Sequence, residues 1–194
     1  MTLDINSEHQ LQNSCYNEHN LIIYEDLYRL REIYCRFAKK ALEKNNEIML
    51  IVTTYETPRT VRDMLREYDI NAQKHESNGS LVIIDSVQGY QAANFYGVLR
   101  LTEMLAIRAQ NESKSGVFSI ADGGSFFLFS REKELVNYEL SVPKYIGITL
   151  KAFCCYHKND FSLRLTDDQQ RQLINHHYRA ISASTFYQET SVRE

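Results

Sequence analysis

The chain has 194 residues, 43% of them hydrophobic, and a formal net charge of -3. That length suits one domain with a sizeable core, and no apolar run approaches the ~20 residues of a membrane span. The charge balance supplies no basic field for nucleic acid, and the start "MTLDINSEHQ" has neither the basic residues nor the apolar run of a secretory signal.

Residues 1–18 are polar and aperiodic and read as a flexible lead. The run Leu21-Ile22-Ile23-Tyr24 has the length and continuity of a buried strand. Glu25 and Asp26 follow at once. Leu27, Leu30, Tyr34, Phe37 and Ala41 then recur at the spacing of one helix face. The basic residues in "YRLREIYCRFAKK" alternate with these apolar positions, which is the pattern of a solvated face. Residues 47–53, "EIMLIVT", form the second strand. Thr57 stands at an N-cap with Pro58 in the first helical position, and the helix they open is expected to bury Val61, Met64, Leu65 and Tyr68.

An Asn78-Gly79 turn precedes the third strand at residues 80–85. A helix from about Phe95 to Ala109 presents Val98, Leu101, Leu105 and Ala109 on one side. "GVFSIADGG", residues 116–124, is a fourth strand ending in a glycine pair. A helix at about 131–142 stops at Pro143. The fifth strand is "GITLKAFCCY", residues 147–156. Thr166 with Gln169 three residues on makes a capping box for a last helix expected to bury Leu173, Ile174, His177 and Ile181. The tail from Ser182 is polar.

Continuous apolar strands alternating with amphipathic helices predict a three-layer α/β sandwich with a mainly parallel central sheet. The folded domain is expected over residues 19–181, between the lead and a tail at 182–194. The four cysteines form no C-x-x-C pair and read as reduced thiols of a cytoplasmic protein.

In open α/β sheets ligands bind beyond the carboxyl ends of the strands. The candidate ligand-binding residues there are Tyr24, Glu25, Tyr55, Glu56, Asp122, Tyr156 and His157, an acidic and aromatic set. A phosphate loop after the first strand needs glycines, a Lys and a Ser or Thr. This chain has no glycine before Gly79, and Glu25 and Asp26 would repel a phosphate. ATP hydrolysis by that route is not expected.

No cofactor and no metal site is expected either. Cys154 and Cys155 are neighbours on a strand and face opposite sides, which speaks against a joint metal grip; a site using Cys155 with His157 is the weaker alternative. No feature activates a cysteine nucleophile beside His157 or His19. Each candidate also has a structural account. Glu56 can cap the helix at Pro58, Asp122 can fix the Gly123-Gly124 turn, and Tyr24, Tyr55 and Tyr156 can simply pack. His176 and His177 divide into one exposed and one core-facing residue.

Several short motifs agree in order and spacing with one family. They are His-x-x-x-x-Tyr (His19, Tyr24), T-P-x-x-V-x-x-x-L (Thr57, Pro58, Val61, Leu65), an apolar strand ending in Asp85 with Tyr90 soon after, and C-x-Y-x-x-x-x-F (Cys154, Tyr156, Phe161). From Glu18 to Ile181 the chain resembles the MEDS domains, the methanogen/methylotroph DcmR-type sensory domains, which are relatives of the RecA/KaiC-like ATPase core without its Walker A loop. In that comparison Glu56 lies where the ATPases have a catalytic glutamate, and Asp122 where they have the Walker B aspartate. The resemblance implies a non-catalytic sensory module of archaeal or bacterial signalling and transcription proteins, binding a small organic, hydrocarbon-derived ligand. No helix-turn-helix or kinase segment is read in the 194 residues, so the signal is expected to pass to a signalling or transcription-factor partner, with no direct nucleic acid or membrane contact. A homo-oligomer is expected. The alternatives are a degenerate RecA/KaiC-like ATPase and a purely structural interaction subunit.

Overall fold

The computed structural model describes residue 11 and residues 13–91 and 96–183. Among these, six strands form one all-parallel sheet: β1 (His19–Tyr24), β2 (Ile48–Thr53), β3 (Leu81–Asp85), β4 (Val117–Asp122), β5 (Leu150–His157) and β6 (Ala180–Ala183). Their order across the sheet is β3-β2-β4-β5-β1-β6. Eight α-helices cover it: α1 (Leu27–Lys39), α2 (Pro58–Glu67), α3 (Ala72–Ser77), α4 (Gly97–Asn111), α5 (Gly124–Leu128), α6 (Glu132–Ser141), α7 (Lys158–Arg164) and α8 (Asp167–His176). Single π-helical turns at Lys40–Lys44 and Val87–Gln91 complete the described elements.

The parallel sheet explains the apolar strands. All six residues of β2 are buried, because a crossover helix covers whichever face a residue points to. Met49 and Ile51 join Ile22, Ile120 and Phe153 beneath α1 and α2, whose Leu30, Ile33, Val61 and Leu65 close that layer. Leu50 and Val52 point the other way, to Val98 and Leu105 of α4 and Leu135 of α6. The result is the expected three-layer sandwich.

Local chemistry sets the helix ends. Thr57 caps α2 by accepting from the Thr60 N–H at 3.1 Å, with Pro58 behind it. Thr166 and Gln169 form the expected reciprocal capping box. Gly79 turns the chain into β3 at a φ of 69°, where a Cβ is disfavoured.

Other expectations need correcting. The last helix ends at His176 rather than running to Ile181. The chain is drawn off instead along β1: the Tyr178 N–H donates to the His19 carbonyl at 2.7 Å and the Leu21 N–H to that of Arg179 at 2.8 Å. Ile181 is therefore buried in an edge strand, Ser182 belongs to that strand, and Ile174 is 40% exposed. The glycine pair opens α5 rather than ending β4, and β5 starts at Leu150, after an irregular approach. Phe95, most of the polar lead and the tail from residue 184 lie outside the described residues. No helix among the described residues is long and apolar enough to cross a membrane.

Phe118 stacks between Phe37 and Phe153, with ring centroids 5.2 Å apart on each side. Truncation would open a void that the rigid sheet cannot close. Phe118→Ala is expected to cost about 3–5 kcal/mol, read as a lower urea midpoint at unchanged slope.

Candidate functional site

At the β1–α1 junction, Asp26 turns its carboxylate onto the start of its own helix and accepts from the Arg29 N–H at 2.9 Å. A helix start is where an anion would otherwise bind; here the chain supplies the anion. Glu25 is half-buried and 3.7 Å from Lys158 Nζ.

The remaining sequence candidates separate into two groups. Tyr24 is buried beneath the α1 layer, and its hydroxyl donates to Asp122 Oδ2 at 2.8 Å. Asp122 Oδ1 accepts from the Gly124 N–H at 2.8 Å, so the carboxylate fixes the glycine turn. The Thr54 hydroxyl reaches the Asp122 carbonyl at 3.0 Å. Glu56 does not cap α2, a role taken by Thr57. It accepts from Arg31 Nε at 2.6 Å and from the Tyr34 hydroxyl at 3.3 Å, tying α1 to the end of β2. Tyr55 and His157 are half-buried at the rim with ring centroids 6.2 Å apart; Tyr55 donates to the Asp160 carboxylate, and His157 caps α7. The glycine pair is explained by these rings. A Cβ on Gly123 would lie 2.6 Å from the Tyr156 ring, and one on Gly124 2.6 Å from the Tyr55 ring.

Tyr156 belongs to the opposite face. Its ring is buried in the α4–α8 layer, and its hydroxyl donates to Glu139 Oε1 of α6. Glu139 is the centre of a constellation that the sequence reading missed. His19 at the start of β1, Glu139, Cys154 of β5 and His177 just after α8 are all buried, and their ligand-type atoms lie within 4.8 Å of one another. Glu139 Oε2 is 3.3 Å from both His19 Nε2 and His177 Nε2, and His19 Nε2 is 3.2 Å from Cys154 Sγ. Neither Glu139 Oε2 nor His177 Nε2 makes a hydrogen bond. Burial would raise the Glu139 carboxyl, but the His177 and His19 imidazoles outweigh it and hold the group well below the usual carboxylate range. Burial pushes the Cys154 thiol up and favours neutral His19. His19 and Cys154 belong to the short motifs noted above; Glu139 on α6 and His177 just past α8 have the sequence spacing of ordinary helix surface and core, and only the folding of α6 and α8 over β1 gathers them.

Beside this cluster lies a cavity of about 30 Å³ between β4, β5 and α4. Its lining is almost wholly apolar, with Val98, Ala121, Ile146 and Leu150 as walls, and His19, Tyr90, Thr102, Ser119, Tyr138 and Cys154 also border it.

The family model for the methanogen/methylotroph DcmR sensory domain (MEDS) matches residues 18–178, and the chain belongs to that family. Among curated proteins none matches the chain.

Burial raises the Asp122 carboxyl to about 7, against the hydrogen bonds from Gly124 and Tyr24 that favour its ionised form. The folded state therefore keeps a proton that the unfolded chain releases near the ordinary carboxylate value. Stability from this group is complete below about pH 4 and is lost as the pH rises to about 7. Asp122→Asn keeps the shape without the charge. Relative to wild type it is expected to gain a few kcal/mol between these limits, at about 1.4 kcal/mol per pH unit, as read from urea midpoints over the pH series.

Proposed function

We propose that this sensory domain responds to a small, largely apolar organic molecule of the hydrocarbon-derived class, held in the cavity between β4, β5 and α4. The cavity's shape and lining carry this reading. One water needs about 10–15 Å³ of such space, so about 30 Å³ admits a molecule of a few heavy atoms. Apolar walls with a few convergent polar groups are the usual form of a small-molecule site. A ligand there would press its apolar part against Val98 and Ala121 and turn a polar substituent towards Thr102, Ser119 or Tyr138.

The same reading makes the domain non-catalytic. Glu56 is committed to Arg31 and Tyr34, Asp122 is sealed behind Tyr24, and the α1 start is capped by Asp26. These groups support the crevice as framework, leaving Glu25, Tyr55 and His157 at its rim. Output passes to a signalling or transcription partner or to a second copy. Leu128 of α5, Phe129 just after it and Leu163 of α7, which packs on α5, are exposed apolar side chains suited to such a contact.

A calorimetric and NMR panel of short halogenated, hydroxylated and thiolated alkanes tests the ligand class. At least one class is expected to bind saturably and to shift Val98 and Ala121 signals. Val98→Phe, which fills the cavity, is expected to weaken that binding at least tenfold with the fold retained. Absence of saturable binding across the panel, or full affinity in Val98→Phe, overturns the assignment.

A further inference from the structure

We propose that His19, Glu139, Cys154 and His177 bind one divalent transition metal of the zinc class. A tetrahedral zinc site has metal–nitrogen and metal–oxygen bonds near ~2.0 Å and metal–sulfur bonds near ~2.3 Å, so its ligand atoms stand about 3.3–3.6 Å apart. Three of the six ligand-atom pairs are close to that spacing, 3.3 Å from Glu139 Oε2 to each imidazole Nε2 and 3.2 Å from His19 Nε2 to Cys154 Sγ, and all four atoms lie within 4.8 Å of one another.

The surroundings orient His177 and Glu139 as metal sites require, while His19 Nδ1 is buried without a hydrogen-bond partner. His177 Nδ1 lies 2.7 Å from the Leu173 carbonyl, which can only accept, so Nδ1 carries a proton and Nε2 is the nitrogen turned to the cluster. The Tyr156 hydroxyl occupies Glu139 Oε1, leaving Oε2 for the metal. That oxygen and His177 Nε2 are shut off from water and, though 3.3 Å apart, make no hydrogen bond of good geometry, a costly state for polar atoms in a core. A cation satisfies both at once.

Charge also balances. Two neutral imidazoles, one carboxylate and one thiolate neutralise a dipositive ion, and the Cys154 thiol gives up its proton to solvent as the metal binds. Two nitrogens, a sulfur and an oxygen suit zinc-class ions rather than calcium or magnesium, which prefer oxygen alone. Four protein ligands fill the tetrahedron, so the ion would lock α6 and the α8–β6 connection onto β1 and β5. Cys155 is excluded, because it faces the α1 layer. This site stands on its own geometry, and its failure would leave the cavity reading untouched.

The test is metal content and cobalt spectroscopy on full-length protein produced in zinc- or cobalt-supplemented medium. One equivalent of metal per chain is expected, with the visible bands of tetrahedral cobalt and a sulfur-to-cobalt charge-transfer band. That band should vanish in Cys154→Ser and persist in Cys155→Ser. X-ray absorption of the zinc form of wild type is expected to show one sulfur at about 2.3 Å with imidazole scattering, a readout that needs no variant to fold. Folded wild type without stoichiometric metal, a zinc shell without sulfur, or a charge-transfer band that survives Cys154→Ser overturns the proposal.

Discussion

A single carboxylate, that of Glu139, constrains half of this molecule. It is buried in the core, where an isolated charge costs several kcal/mol or more. One of its oxygens takes the Tyr156 hydroxyl, and the other faces His19 and His177. Four elements therefore meet at one side chain: α6 supplies it, β5 and β1 contact it from the sheet, and the chain leaving α8 closes over it. The consequence reaches further than the contacts. His177 must leave helical geometry to present its ring inward, with the backbone extended at a ψ of 157°. The chain then continues beside β1 as β6 instead of extending α8. The sixth strand of the sheet thus begins just past the residue whose ring turns towards Glu139.

The other face is organised around Asp122, at the carboxyl ends of the strands, where the chain's own groups fill one another's bonds. Parallel strands bring Tyr24, Thr54, Asp122 and the glycine pair to one edge, the place where this architecture ordinarily holds a ligand. In this chain their polar atoms bond to one another: Tyr24 to Asp122, Asp122 to Gly124, Thr54 to the Asp122 carbonyl. The glycines serve close packing against Tyr55 and Tyr156 rather than approach to an anion. An edge so occupied with itself makes the cavity under α4 the more open place for a small molecule.

How much of this was legible in the sequence depended on the range of the interaction. Thr57-Pro58, Thr166-Gln169 and Asn78-Gly79 state their structure within four residues, and each appears as read. The apolar runs of β1 to β5 announce a buried sheet because period and length are local too. The short helices α3, α5 and α7 and the strand β6 carry too few residues for a period to emerge. Leu173, His177 and Ile181 keep helical spacing, although only the first is on a helix; the pairing of Tyr178 with His19, across the whole chain, decides the matter. The opposed faces of Cys154 and Cys155 were legible from strand alternation. That His19, Glu139 and His177 should gather around Cys154 was not, since they come from four elements whose crossing angles no local pattern encodes.

The cavity and the cluster share more than proximity. His19 and Cys154 line the cavity and belong to the cluster, while Tyr138, another wall of the cavity, precedes Glu139 on α6. On the proposed reading, a molecule entering beneath α4 presses on the helix that carries the hub carboxylate. Displacing α6 would strain every bond Glu139 makes, and those bonds position β1, β5 and the α8–β6 connection. Buried polar centres respond in this all-or-none manner because a partly satisfied charge is costlier than either intact arrangement. Close-packed layers convert small shifts into discrete repacking rather than smooth deformation. A ligand of a few heavy atoms could thereby bias the domain between two arrangements, provided it binds one of them better than the other.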